Sequence, residues 1–220
     1  MKKTILLLGA ALLAFGLLAE TAAAREPVTF RARSAKLAED IAFGDKALVN
    51  INNLTMWFKR DGYSAGDPAT DASGVTYPRS TDQAIYRDGL VWGGKVMDGD
   101  PQMLRVGGST YAQGCVPGRI VSQGVAADRN DAAVRIYRVR KDYRTADLTL
   151  EASEYLTTPL ADVTAADVEA IRAQYQKDWN EWPAAWGAPY YDKNGNGTYE
   201  PSVDEPGVAN ADQVAWFVIN

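Results

Sequence analysis

The sequence predicts an α+β fold, mostly antiparallel β and sandwich-like. It carries one amphipathic helix near residues 165–180 and a Gly/Asn-rich C-terminal loop. Three observations predict it. Short apolar runs recur between Gly-rich turns, the pattern of meandering strands. Val134, Ile136, Tyr137 and Val139 are interleaved with Arg135, Arg138 and Arg140, as on a half-buried strand. Val168, Ile171, Tyr175 and Trp179 fall at helical spacing.

The 220 residues carry a formal charge of −5, with 46% hydrophobic and 23% charged residues. That balance is typical of a folded soluble chain and disfavours a basic nucleic-acid binder. There is no histidine, which excludes a Ser-His-Asp triad, a Cys-His pair and any His-ligated metal within the chain. The single cysteine, Cys115, excludes an internal disulfide and a cysteine-rich zinc site. It reads as a small apolar filler or as a reactive thiol.

Residues 1–24 read as a secretory signal peptide. Lys2 and Lys3 precede an apolar run over 5–18, and Ala22, Ala23 and Ala24 supply a small-residue cleavage site. An uncleaved anchor is the alternative, although the run is short for a span of about 20 residues. Cleavage removes Lys2, Lys3 and Glu20, two positive charges and one negative, and takes the net charge from −5 to −6. The mature chain has no further run long enough to span a membrane, so a secreted or outer-surface location is expected.

Residues 25–46 read as a flexible lead-in with a short helix over 34–43, and 47–220 as one β-rich domain. Strand character over 47–58 is interrupted at Asn52-Asn53. Residues 64–80 are dense in Gly, Pro, Asp, Ser and Thr and read as a long surface loop, a kind of segment that is often functional. Apolar strands over 83–96 break at Asp88-Gly89, and further strands fall over 103–106, 109–112 and 119–121. The cluster Arg135, Arg138, Arg140, Lys141 and Arg144 reads as a solvated strand face or as an anion-binding patch. A weaker helix spans 147–156 before Pro159. The main helix starts at Thr164, whose hydroxyl and Asp167 form a capping-box variant, and stops before Pro183.

The most informative stretch is Asp192-Lys193-Asn194-Gly195-Asn196-Gly197-Thr198-Tyr199-Glu200. Asp192, Asn194 and Asn196 put side-chain oxygens at positions 1, 3 and 5 of a calcium loop. Gly197 stands at the sharp turn, and Thr198 offers a backbone carbonyl at position 7. Position 12, normally a bidentate Glu, is Val203; Asp204 and Glu205 follow it, and Glu200 holds position 9. The expected structural calcium set is therefore Asp192, Asn194, Asn196, Thr198, Asp204 and Glu205. The loop resembles the calcium loops of dockerins and thrombospondin-type repeats more than a helix-loop-helix sensor. With one carboxylate in its first half, affinity on the order of 10⁻⁴–10⁻³ M is expected. An ion-free Asn-Gly turn is the alternative. Trp179, Trp182, Trp186, Tyr190 and Tyr191 flank the loop and read either as core or as sugar-stacking faces.

These features favour a non-catalytic surface or interaction module, with a carbohydrate-binding module as the alternative. A carboxylate-based glycosidase fragment comes third, because no spacing singles out a pair of acids. The expected partners are a surface protein or a glycan, with no nucleic acid.

Several motifs together resemble a known group. They are Asn52-Asn53-Leu54-Thr55-Met56, Tyr77-Pro78-Arg79-Ser80, the glycine-aromatic stretch 88–96 and the stretch 105–111. The helix end Asp178-Trp179-Asn180-Glu181-Trp182-Pro183 and the loop over 187–207 complete the set. Over 47–220 the chain is similar to the N-terminal region of large secreted bacterial proteins, many of which end in a type IX secretion sorting domain. The resemblance implies export and no known activity. A sorting domain has no counterpart here, and the apolar run Val214-Ala215-Trp216-Phe217-Val218-Ile219 reads as a last strand lacking its neighbour. The expectation is a domain of a longer polypeptide, truncated at its C-terminal side.

Overall fold

The computed structural model describes residues 43–97, 99–109 and 115–220. The signal segment 1–24 lies outside the described residues. So do the expected short helix, except Phe43, and the expected strand over 109–112, except Ser109.

Among the described residues the fold is α+β, with mostly antiparallel strands in several small sheets and two α-helices. β1 (Lys46–Val49), β2 (Thr55–Lys59), β3 (Val75–Thr76) and β4 (Gln83–Ile85) form one antiparallel sheet in that order. β5 (Val91–Val96) and β6 (Met103–Gly108) form a six-pair hairpin, and β7 (Ile120–Ser122) and β8 (Val125–Ala126) a shorter one. β9 (Tyr137–Arg140) precedes α1 (Thr149–Tyr155) and α2 (Ala165–Asn180). β10 (Tyr190–Tyr191) pairs with β11 (Glu205–Pro206), and β12 (Gln213–Trp216) returns antiparallel to β9.

Local chemistry explains the helices. The Asp147 carboxylate accepts from the Thr149 N–H at 2.9 Å and the Thr149 hydroxyl at 2.6 Å, at the entry to α1. In α2 the capping box is complete: Asp167 N–H donates to the Thr164 hydroxyl, and the Asp167 carboxylate accepts from Thr164 N–H at 2.8 Å. Ile171, Tyr175 and Trp179 bury the predicted stripe. They join Tyr137, Val139, Leu148 and Tyr155 in one core. Trp182 and Trp216 close its far side around Tyr137, with all three ring pairs 6.3–6.4 Å apart.

Two expectations are corrected. The arginines of the 134–140 stretch do not form a solvated face, because helices cover it. Arg135 and Arg138 are buried and Arg140 is half-buried. Arg135 pairs with Asp178 and Glu181. Arg138 lies 3.1 Å from Glu151, donates to the Leu48 carbonyl at 2.7 Å, and sits over the Tyr155 and Tyr175 rings. Lys141 and Arg144 stay exposed. The final apolar run does have neighbours. β12 pairs with β9, and beyond it Gly118 N–H donates to the Val218 carbonyl at 2.8 Å, while Val116 and Asn220 exchange two 2.9 Å hydrogen bonds. Among the described residues, no helix is long and apolar enough to cross a membrane.

Candidate functional site

The 192–204 segment is the loop of the β10–β11 hairpin, closed at its base by Tyr190↔Pro206 and Tyr191↔Glu205 pairing. Asp192 organises it. One carboxylate oxygen accepts from Gly195 N–H at 2.6 Å and from Asn196 N–H at 3.3 Å. The other accepts from Gly197 N–H at 2.7 Å. These amides, Gly197's first, hold the Asp192 carboxyl below the usual carboxylate range. Gly197 has a φ of +75°, which glycine adopts without penalty and which lets the chain fold back over Asp192.

The two asparagines converge on Glu200. Asn194 Nδ2 and Asn196 Nδ2 each donate to Glu200 Oε2 at 2.7 Å. Their side-chain oxygens accept backbone N–H groups of Asn196, at 3.1 Å, and Thr198, at 2.7 Å. Rotating either amide about its last torsion would turn its oxygen towards Glu200 and would give up the hydrogen bond from Asn196 N–H or Thr198 N–H.

The later carboxylates do other work. Asp204 is buried, and its two oxygens accept from Lys193 N–H at 3.0 Å and Glu200 N–H at 2.7 Å, tying the two arms of the loop together. Glu205 forms ion pairs with Lys141 at 3.0 Å and Lys193 at 3.7 Å. Thus Asp192, Asn194, Asn196 and Glu200 share one hydrogen-bonded loop, with Thr198 beside them, Asp204 bracing it from within and Glu205 held by lysines. The place of Glu200 at position 9 of the loop is the signal in the sequence for its part. Among the described residues, no three Asp, Glu, His or Cys side chains group as a metal site by themselves. A cation here would draw on carboxylate, amide and backbone oxygens together. That donor chemistry fits calcium, which takes hard oxygens of all three kinds.

The flanking aromatics divide. Trp179 and Trp182 are buried, and their indole N–H groups donate to the Pro201 carbonyl at 3.0 Å and the Pro189 carbonyl at 2.9 Å. Tyr199 donates to the Trp179 carbonyl at 2.6 Å and meets Tyr190 edge-on at 5.4 Å. These contacts seat the loop on α2. Tyr191 is exposed, while Trp186 and Tyr190 are half-buried.

Two acids are buried in the core. Burial pushes the Asp178 carboxyl up, against the opposing pull of Arg135. Glu151, fully enclosed, accepts from the Tyr175 hydroxyl and faces both Arg138 and Arg140 at 3.1 Å. These pairs join α1 and α2 to β9.

Comparison with models of known families, with curated proteins and with solved structures returns no match.

Proposed function

We propose that this chain is a secreted or cell-surface structural and interaction module, non-catalytic, whose 192–205 loop is stabilised by calcium. The observation that carries the reading is the convergence of Asn194 and Asn196 on Glu200 inside a loop already wound around Asp192. Asp192, Asn194, Asn196 and Glu200 would hold the ion, with the Thr198 carbonyl completing the protein's share. The ion would supply charge neutralisation between Asp192 and Glu200 and a fixed loop geometry. The signal-like N-terminal pattern and the resemblance to secreted bacterial proteins support the location. The seating of Trp179, Trp182 and Tyr199 against the loop supports a structural role, because stiffening the loop stiffens the end of α2.

The test is calorimetric calcium titration of the chain from Arg25 onward, with melting curves in parallel, repeated on Asp192→Ala and Glu200→Gln. Binding in the 10⁻⁴–10⁻³ M range with a raised Tm, lost in both variants, is expected. Absence of both heat and stabilisation would reduce the loop to a turn held by its own hydrogen bonds.

A further inference from the structure

The 64–80 segment walls a cleft that the calcium loop does not use. The cleft encloses about 360 Å³ between the β1–β4 sheet and the C-terminal end of α1. Small-ligand sites run from roughly 300 to 1,000 Å³, so this one has room for a sugar of one or two rings. Buried Leu48 and Trp57 form its floor, and exposed Ser80, Gln83 and Thr157 its rim.

The lining is unusually rich in hydroxyl groups. Thr55 and Thr76 share a hydrogen bond at 2.6 Å. Ser73, Ser153 and Thr158 donate to the Ile85, Thr158 and Leu156 carbonyls. Ser80 donates to Glu154 at 3.2 Å. A hydroxyl that spends its proton on the protein keeps lone pairs for a ligand. Glu154 is neutralised by a two-pronged ion pair from Arg79 at 2.8 Å, while Asp67 accepts from Ala69 N–H and the Thr70 hydroxyl at 2.8 Å and keeps its charge. The cleft therefore offers hydroxyl acceptors and the Asp67 carboxylate above an apolar floor. Its complement is a molecule with many hydroxyl donors, which serve hydroxyl and carboxylate acceptors alike, and one apolar face.

Backbone strain marks the same place. α1 ends in a Schellman turn, with Thr158 N–H donating to the Ser153 carbonyl at 2.9 Å and Thr157 N–H to the Glu154 carbonyl at 3.4 Å. Thr157 occupies the left-handed position at φ +51°, where glycine is usual and a β-branched residue is penalised. Ser80 is also left-handed, at φ +63°. These are two of the five non-glycine residues with positive φ among the described residues, and both line this cleft. Strain of this kind clusters at ligand sites.

We propose that the cleft binds a neutral saccharide. Its hydroxyls donate to the Thr and Ser oxygens, and its C–H face lies on Leu48 and Trp57. The site stands independently of calcium at the 192–205 loop.

The test is NMR of the full chain with ¹⁵N-labelled indoles, titrated with both anomers of methyl glucoside and methyl galactoside, cellobiose, and butylammonium as an amine of similar reach. A saturable shift of Trp57 by at least one sugar is expected, with a Kd on the order of 1 mM. Gln83→Trp, which plugs the rim from an exposed strand, removes the shift. Thr157→Gly weakens it about tenfold by deleting one hydroxyl while leaving the protein folded. Asp192→Ala leaves it unchanged. Silence from every sugar, a shift that survives Gln83→Trp, or a response to butylammonium alone overturns the proposal.

Discussion

Asp178 on α2 accepts the backbone N–H of Arg138 on β9 at 2.9 Å, and its other oxygen takes the Arg135 guanidinium. One side chain thus fixes both the register of a helix on a strand and the charge of a buried arginine. The acid is 1% exposed, so water cannot replace it. Asp178→Ala leaves Arg135 inside with Glu181 as its acidic partner and is expected to cost about 3–5 kcal/mol. Urea denaturation checks it. A loss below about 1 kcal/mol would mean that Arg135 swings out to solvent.

Thr157 gives the opposite sign. Replacing it with glycine relieves a left-handed β-branched residue while keeping both hydrogen bonds of the α1 terminus. Strain of this kind is worth about 1–2 kcal/mol, offset in part by the greater freedom of glycine in the unfolded chain. The expected net effect is a stabilisation of up to about 1 kcal/mol, read as a higher Tm. A lower Tm would show that the hydroxyl, rather than the backbone, governs that turn.

The loop should respond to acid. Asp192 has its folded-state pKa depressed by backbone N–H groups, so its contribution is complete above the ordinary Asp value of about 3.9 and fades as pH falls through the folded value. Asp142, held down by Arg140, behaves alike. Asp178, raised by burial, opposes them: its contribution is present at low pH and is lost as pH rises through its folded value. The Gly195 and Gly197 amide resonances report the loop directly, and their titration midpoint is expected below 3.9. A midpoint at or above that value would contradict the hydrogen-bonding scheme.

The β5–β6 hairpin should tolerate charge. Val91, Leu104 and Val106 fall on one face of the hairpin by register and are 66%, 71% and 79% exposed, so they contribute little burial. Leu104→Lys and Val106→Lys are expected to shift stability by less than about 0.5 kcal/mol. Thermal melts of both variants check this, and a larger loss would show that the face is covered in solution.

Local signals were legible and long-range ones were not. The Thr164–Asp167 box and the 168-171-175-179 stripe announce α2, because both act within a few residues. Alternation at 134–140 identified β9 but misjudged its arginines. Periodicity gives two faces and does not reveal that Asp178 and Glu151, some 40 and 13 residues further along, will cover one of them. At the loop, the 1-3-5 spacing was plain. The meeting of Glu200 with two amides, and the bracing by Asp204, depend on how the hairpin closes. The cleft was invisible in advance: its hydroxyls come from five separate segments, and no pattern warns that a threonine will occupy a glycine's position.

The pairing of β9 with β12 has a kinetic meaning. Tyr137 meets Trp216, and Arg140 meets Gln213, across a span that contains both helices. The strand at the centre of the core therefore waits for residues made more than seventy positions later. Closing so wide a span delays the entropic return until late in the folding reaction. Until then Tyr137, Trp182 and Trp216 have no common cluster to enter. The part of the core that depends on this pairing is the cluster of Tyr137, Trp182 and Trp216.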